Sequence, residues 1–432
     1  MNLPSDFANL RLSRRQVLTA FGLTGLGVGV GVLAAVPAAF VHFGAASVSV
    51  QIATLFYGLA IVGAAFAMSW GAEAAEHDIP RALALTAVAL LAVFPEYAVD
   101  IVFAVKAGQD PTFAPYAAAN MTGSNRLLLG LGWPTVSLLA WWASGQRVLR
   151  LGRDAGLPLI FLSIATLYSF TLPLRASIGL IDCVVLVGLF VIYAVVASRE
   201  AHTEPELVGP AATIGALGAT ARRLSIVGLF AFAGVTIGAA AEPFAAGLVR
   251  TGQSLGIDEF LLVQWLAPLA SEAPEFLIAA LLAARGKAGA AMGLLLAAKL
   301  NQWTLLVGSL PLAYSVGAGQ LAALPLDTRQ GSEVMLTAAQ SLFGIAVLAN
   351  MSLSVVESGL LAGLFIAQLV LGGVLRAGLR NAQGGELELA LFSVVYVVLS
   401  VAFLYHARRV VRLLWRNGRA NKPPPDNLYS HV

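Results

Sequence analysis

Long apolar stretches recur along the chain, separated by short polar turns, and most have the length of a bilayer-crossing helix. At ~20 apolar residues per span, the pattern predicts a first helix ending near Phe43. Further helices follow over 49–70, 82–106, 114–143, 157–173, 177–197, 223–249, 258–283, 288–313, 333–350, 353–375 and 387–406. Together these make about twelve spans. Gly132-Trp133-Pro134 interrupts the fourth and predicts a kink or tilt there.

Composition agrees. Of 432 residues, 58% are hydrophobic and only 11% charged, against roughly a quarter charged in a soluble domain. The chain reads as an all-α polytopic membrane protein with no room for a sizeable soluble domain. The single Cys183 excludes a disulfide within the chain.

The charges set the orientation. Arg147, Arg150, Arg153, Arg199, Arg222, Arg223 and a basic tail from Arg408 to Lys422 fall on one side of the predicted membrane, with Arg11, Arg14 and Arg15. The positive-inside rule makes that side cytoplasmic and places both termini there, in a cell (inner) membrane. The N-terminal Ser13-Arg14-Arg15 also resembles a twin-arginine export signal. The apolar run after it is longer than a signal h-region of ~7–15 residues, which favours a retained first helix.

The organisation is a doubled five. Residues 1–48 hold the extra first helix, 49–197 a first set of five spans, 198–222 a polar cytoplasmic linker, 223–376 a second set of five, and 377–432 an extra last helix and the tail. Five is odd, so the second set enters the membrane the other way up. Inverted repeats of this kind place a site near the midplane.

Each set carries the same chemistry. Phe94-Pro95-Glu96-Tyr97 is followed by Asn120-Met121-Thr122-Gly123-Ser124-Asn125. Glu272-Ala273-Pro274-Glu275 is followed by Lys299-Leu300-Asn301-Gln302. A carboxylate deep in a span costs about 2.5–3.5 kcal/mol on insertion scales and marks an ion or proton pathway. Proline leaves the carbonyl of the preceding turn without its helical donor, and a bound cation is one way to satisfy it. Two carboxylates with amide and hydroxyl oxygens suit a hard cation.

These residues resemble the sodium/calcium exchanger membrane region of the cation/calcium exchanger superfamily. That family repeats Gly-Thr-Ser-x-Pro-Glu on one helix and Gly-Asn-x-x-Gly-Ser-Asn/Asp on the next. Pro95-Glu96 and Pro274-Glu275 match the first element, residues 120–125 match the second, and Gly71-Ala72-Glu73 matches the small-acidic end of the family's first helix. The alpha motifs then occupy 92–129 and 270–308. Ala92-Val93 and Ser271-Glu272 stand where the family has Thr-Ser. In the second half the second element has two alignments. Counted from Pro-Glu, Lys299 falls where Asn120 falls; by local pattern, Lys299-Leu300-Asn301 stands for Gly123-Ser124-Asn125.

The resemblance implies a secondary cation antiporter with an inverted 5+5 repeat. Glu96, Glu275, Asn120, Ser124, Asn125, Glu272 and Gln302 are its expected ion-binding residues, with Glu96 and Glu275 facing each other on a transported Na⁺ or Ca²⁺. Lys299 is expected to pair with Glu272 and Glu275, either as a proton carrier or as a permanent substitute for a bound ion. Arg126 is expected to partner Glu96 or another carboxylate as a structural or gating group. Asp182 and Glu357, in the fifth span of each half, are weaker pathway candidates. Trp133, Trp141, Trp142 and Trp265 are expected as interface anchors.

Na⁺/H⁺, Ca²⁺/H⁺ and Na⁺/Ca²⁺ exchange all fit, and the gain of Lys299 leans toward proton coupling. An organic or anionic solute carried by Lys299 and Arg126 is the second reading, and a non-transporting scaffold with a dry, fully paired core is the third. No His-Glu-x-x-His or Gly-x-Ser-x-Gly is present, so the chain is not expected to be an enzyme. The expected partners are inorganic cations, protons and lipid, with no cofactor beyond the transported cations and no nucleic acid. The sequence assigns no oligomeric state.

Overall fold

The computed structural model describes residues 33, 35–44, 48–75, 94–152, 155–199, 209–378 and 382–419. The N-terminal arginines, Ala92-Val93, residues 200–208 of the 198–222 linker and the end of the basic tail lie outside the described residues.

Nearly all of it is helix. In chain order the elements are α1 (Val50–Ala75), α2 (Phe94–Gln109), α3 (Ala114–Leu127), α4 (Trp133–Ser144), β1 (Val148–Arg150), α5 (Gly156–Ser169), α6 (Thr171–Arg175), β2 (Ser177–Ile178) and α7 (Leu180–Ala197). The expected linker itself holds a short helix, α8 (Pro210–Gly215), and the start of α9 (Ala219–Leu255); then come α10 (Glu259–Ser271), α11 (Ala273–Ala284), α12 (Ala288–Asn301), α13 (Val307–Ala318), β3 (Leu324–Pro325), α14 (Thr328–Leu348), β4 (Ser352–Ser354), α15 (Val355–Gly378) and α16 (Ala382–Arg419).

Among the described residues nine helical stretches are long and apolar enough to cross a membrane, or ten with the bent pair α10–α11 as one span. Each coincides with an expected span. The expected 82–106 helix is seen from Phe94 onward as α2, and only the end of the first helix is described. The outward surface is apolar, as lipid demands: Leu167 (62%), Val184 (73%), Val235 (74%) and Val356 (81%) are all exposed.

The chain divides into two compact units. One comprises the first 95 residues and residues 201–247. In it Gly58 packs on Phe244, and Gly247 on Thr54. The other holds residues 96–200 and everything from Leu248, and contains every candidate site residue.

The second unit displays the repeat directly. Helix α3, a five-residue π-helical segment (Leu128–Gly132) and α4 have 14, 5 and 12 residues. Helix α12, a π-helical segment (Gln302–Leu306) and α13 have 14, 5 and 12. The short strands obey the same symmetry: β1 pairs with β4, and β2 with β3, both antiparallel. Asp182 and Glu357 are equivalent too. Each carboxylate accepts the backbone N–H three residues before it, from Gly179 and Ser354. They cap the starts of α7 and α15, which accounts for carboxylates there without a pathway.

This match settles the register of the second motif in a third way. Lys299 is the counterpart of Asn125: each stands three residues before its π segment begins and third from the end of its helix, followed by Leu300-Asn301 and Arg126-Leu127 respectively. Counting from Pro-Glu misleads because α2 runs 16 residues from Phe94 and α11 only 12 from Ala273. The first half has an extra helical turn.

Helix α3 enters the core of this unit. Asn120, Thr122, Ser124, Asn125 and Arg126 are all buried on it. It passes so close to α10 that a Cβ on Gly123 would lie 1.8 Å from the Gln264 carbonyl oxygen. Pro268 explains that carbonyl: it has no N–H to give the residue four before it. Only glycine permits the approach. Gly123→Val is expected to destabilise the protein by about 3 kcal/mol, read as a lowered melting temperature in detergent.

Candidate functional site

Two breaks in helical regularity build the site. The first is between α10 and α11, which bend by 55° at Glu272. Pro268 lies before the bend, and Pro274 starts the next helix. The second is the pair of π segments, a feature frequent at functional sites. Gln302 is the first residue of one of them.

Glu96, near the start of α2, is fully buried, and its Oε2 accepts from Gln302 Nε2 at 3.1 Å. One turn on, Asp100 is buried on the same helix and faces Asn120. Glu272, at the bend, lies beside Glu96 and Glu275, with Ser124 and Gln302 against its carboxylate. Ser124 donates its hydroxyl hydrogen to the Asn120 carbonyl at 2.9 Å, which leaves its oxygen lone pairs for the site. Tyr97 donates to Asn301 Oδ1 at 3.0 Å and closes one side.

The oxygens gathered here are largely without protein partners. Glu96 Oε1, both oxygens of Asp100 and of Glu272, Asn120 Oδ1 and Gln302 Oε1 are buried and accept no hydrogen bond of normal length and angle. Buried polar atoms are rarely left so, and a concentration of acceptors lacking donors is what a cation satisfies. Among the described residues no three His, Cys, Asp or Glu side chains form a ready-made metal cage.

The structure thus brings together Glu96, Glu272, Glu275, Asn120, Ser124 and Gln302, six of the expected ligands. Asn125 is turned elsewhere. Its Nδ2 donates to the Met121 carbonyl, and its Oδ1 and backbone oxygen both accept from Lys299 Nζ at 2.9 Å. Lys299 therefore engages Asn125 where an ion pair with Glu272 and Glu275 is expected, and Trp303 lies 5.2 Å from its ammonium.

Arg126 also departs from expectation. It pairs with Glu333, Nη2 to Oε2 at 2.6 Å, and lies 5.1 Å over the Trp265 ring. Gln264 Nε2 donates to the same Glu333 oxygen at 3.0 Å. The pair ties α3, α10 and α14 together and does not involve Glu96. Trp133 is fully buried and no interface anchor, whereas Trp142 is 79% exposed. Sequence reasoning passed over Asp100. Its signal was plain: a second carboxylate four residues after Glu96 shares that helix face.

Residues 48–199 and 225–373 match the family model described as sodium/calcium exchanger protein, one segment for each half. Among solved structures, the H⁺/Ca²⁺ exchanger CAX is 40% identical over 97% of this chain and 99% of its own, with a TM-score of 0.81. The Ca²⁺/H⁺ antiporter YfkE is 15% identical over 88% of this chain and 100% of its own, with a TM-score of 0.57, a likeness of fold. No curated protein sequence matches. Two matched halves, the mirrored helix–π–helix elements and the paired Pro-Glu helices agree: the chain belongs to the sodium/calcium exchanger family, whose members are membrane cation antiporters.

Proposed function

We propose that this antiporter exchanges Ca²⁺ for protons by alternating access, with Glu96 and Glu275 as the paired ligands of the transported ion. The observation that carries the reading is the set of buried, unpartnered oxygens on Glu96, Asp100, Asn120, Glu272 and Gln302. Oxygen ligands of this kind are what Ca²⁺ takes. A site with Glu96, Asp100, Glu272 and Glu275 holds more carboxylates than one divalent cation balances, and protons neutralise the remainder. The 40% identical structure is that of an H⁺/Ca²⁺ exchanger, which favours this pair over Na⁺/H⁺ or Na⁺/Ca²⁺ exchange.

The organic-anion reading draws no support, since Lys299 and Arg126 are both already engaged, by Asn125 and Glu333. The scaffold reading requires a fully paired core, and the unpartnered carboxylates speak against it. The charge distribution supports a cell-membrane location with both termini cytoplasmic; reporter fusions at each end test it.

The deciding experiment uses purified protein in proteoliposomes with an imposed pH gradient and a Ca²⁺ indicator inside. Ca²⁺ is expected to move against the proton gradient and to dissipate it, with Na⁺ and K⁺ ineffective. Dissipation by Na⁺ alone, with no Ca²⁺ movement, overturns the assignment.

A further inference from the structure

Lys299 is fully buried, and it is held as a bound ion is held. Its Nζ lies 2.9 Å from two oxygens of one residue, the backbone carbonyl and side-chain amide of Asn125. Asn125 is fixed for this purpose, because its Nδ2 is tied to the Met121 carbonyl at 2.9 Å. Trp303 offers its ring face at 5.2 Å. The charges that act on the ammonium are Glu272, attractive, and Arg126, repulsive.

The repeat gives this contact its meaning. Lys299 and Asn125 are the same position of the two halves, and they touch each other, as a residue near a two-fold axis touches its own counterpart. In one half the position supplies oxygens. In the other it supplies a positive charge on a flexible stem. Carbonyl and amide oxygens beside a carboxylate are ligands for Na⁺ or Ca²⁺. Here the chain fills that position itself.

We infer that Lys299 is a resident cation: its ammonium takes a second cation position, between Asn125 and Glu272, and thereby sets how much charge moves with each transported ion. The inference rests on the Ca²⁺/H⁺ reading for the ion carried, but not for its test. With the lysine in place the site takes one mobile cation. With it removed, the Asn125 oxygens and Glu272 lose their positive partner and a small monovalent cation is drawn in.

The test compares the parent with Lys299→Ala and Lys299→Met. Na⁺ binding to purified protein is followed by calorimetry, and Ca²⁺/H⁺ exchange is followed in voltage-clamped vesicles with Na⁺ or choline. The parent is expected to bind no Na⁺ at the site and to exchange at a rate independent of Na⁺. Lys299→Ala is expected to bind Na⁺, to exchange about tenfold more slowly in choline, to recover in Na⁺, and to show a shifted reversal potential. A variant that binds no Na⁺, or that keeps the parental reversal potential, overturns the inference. If Lys299→Ala does not fold, Lys299→Met keeps the stem and removes only the charge. Recovery of its fold by Na⁺ but not choline supports the resident cation; loss of fold without rescue makes Lys299 a packing residue. Failure of the parent to exchange Ca²⁺ sinks the functional reading alone, since Na⁺ binding is read without transport.

Discussion

Glu96→Gln and Glu275→Gln are each expected to reduce Ca²⁺/H⁺ exchange by on the order of a hundredfold or more, while the protein still folds. Glutamine preserves volume and one oxygen, so packing around α2 and α11 is little disturbed. What is lost is a negative charge on the ion and a group able to take a proton. A hydrogen bond or ligand contact to a charged group contributes about 1.5–3 kcal/mol in protein settings, and two such units of discrimination make a hundredfold change. Glu96 is the more exacting case. Its Oε2 already accepts from Gln302 Nε2 at 3.1 Å, so an amide that turns its NH₂ toward Gln302 meets another donor. Exchange is measured in vesicles, and folding by gel filtration and melting in detergent. Parental exchange in the double variant would show that the ion passes elsewhere. Asp100→Asn serves as the comparison: it alters the same face one turn away, and is expected to weaken Ca²⁺ uptake by less than either glutamate change.

The spans and the Pro-Glu pairs were legible because bilayer physics writes them plainly. A long apolar run has few readings, and a glutamate within it has fewer. The register of the second motif was not legible. It depends on the extra turn of α2 and on the π segments; Gly132-Trp133-Pro134 marks the end of the first π segment, but local composition marks neither the second nor the extra turn. Lys299 stood out in the sequence as a cation among expected ligands, but its partner was read as a carboxylate. The actual partner is an amide and a carbonyl on Asn125, and only the close approach of α12 to α3 reveals this. Arg126 failed for a similar reason. Glu333 is far away in sequence, and nothing in either segment announces the other.

Glu333→Ala is expected to destabilise the protein by about 3–5 kcal/mol, the cost of stranding one member of a buried ion pair. Arg126 and Glu333 are at most 1% exposed, and 2.6 Å separates Nη2 from Oε2. The alignment makes this a close ion pair rather than a straight hydrogen bond, since Nη2 satisfies no hydrogen-bond geometry. Removing Glu333 leaves Arg126 with the Thr122 carbonyl at 3.4 Å and the Trp265 ring, and leaves Gln264 only its longer contact, to Thr122 Oγ1 at 3.4 Å. Arg126→Met combined with Glu333→Leu removes both charges and fills the space with apolar atoms. Such replacements are often neutral or better, so the double variant is expected to recover most of the stability lost by either single change. The comparison also decides what Arg126 does. The pair stands apart from Glu96 and holds α3, α10 and α14, which is a structural task. A folded double variant with parental exchange confirms that task. A folded double variant without exchange makes Arg126 and Glu333 part of the moving machinery, because stability restored without transport leaves only a role in the cycle.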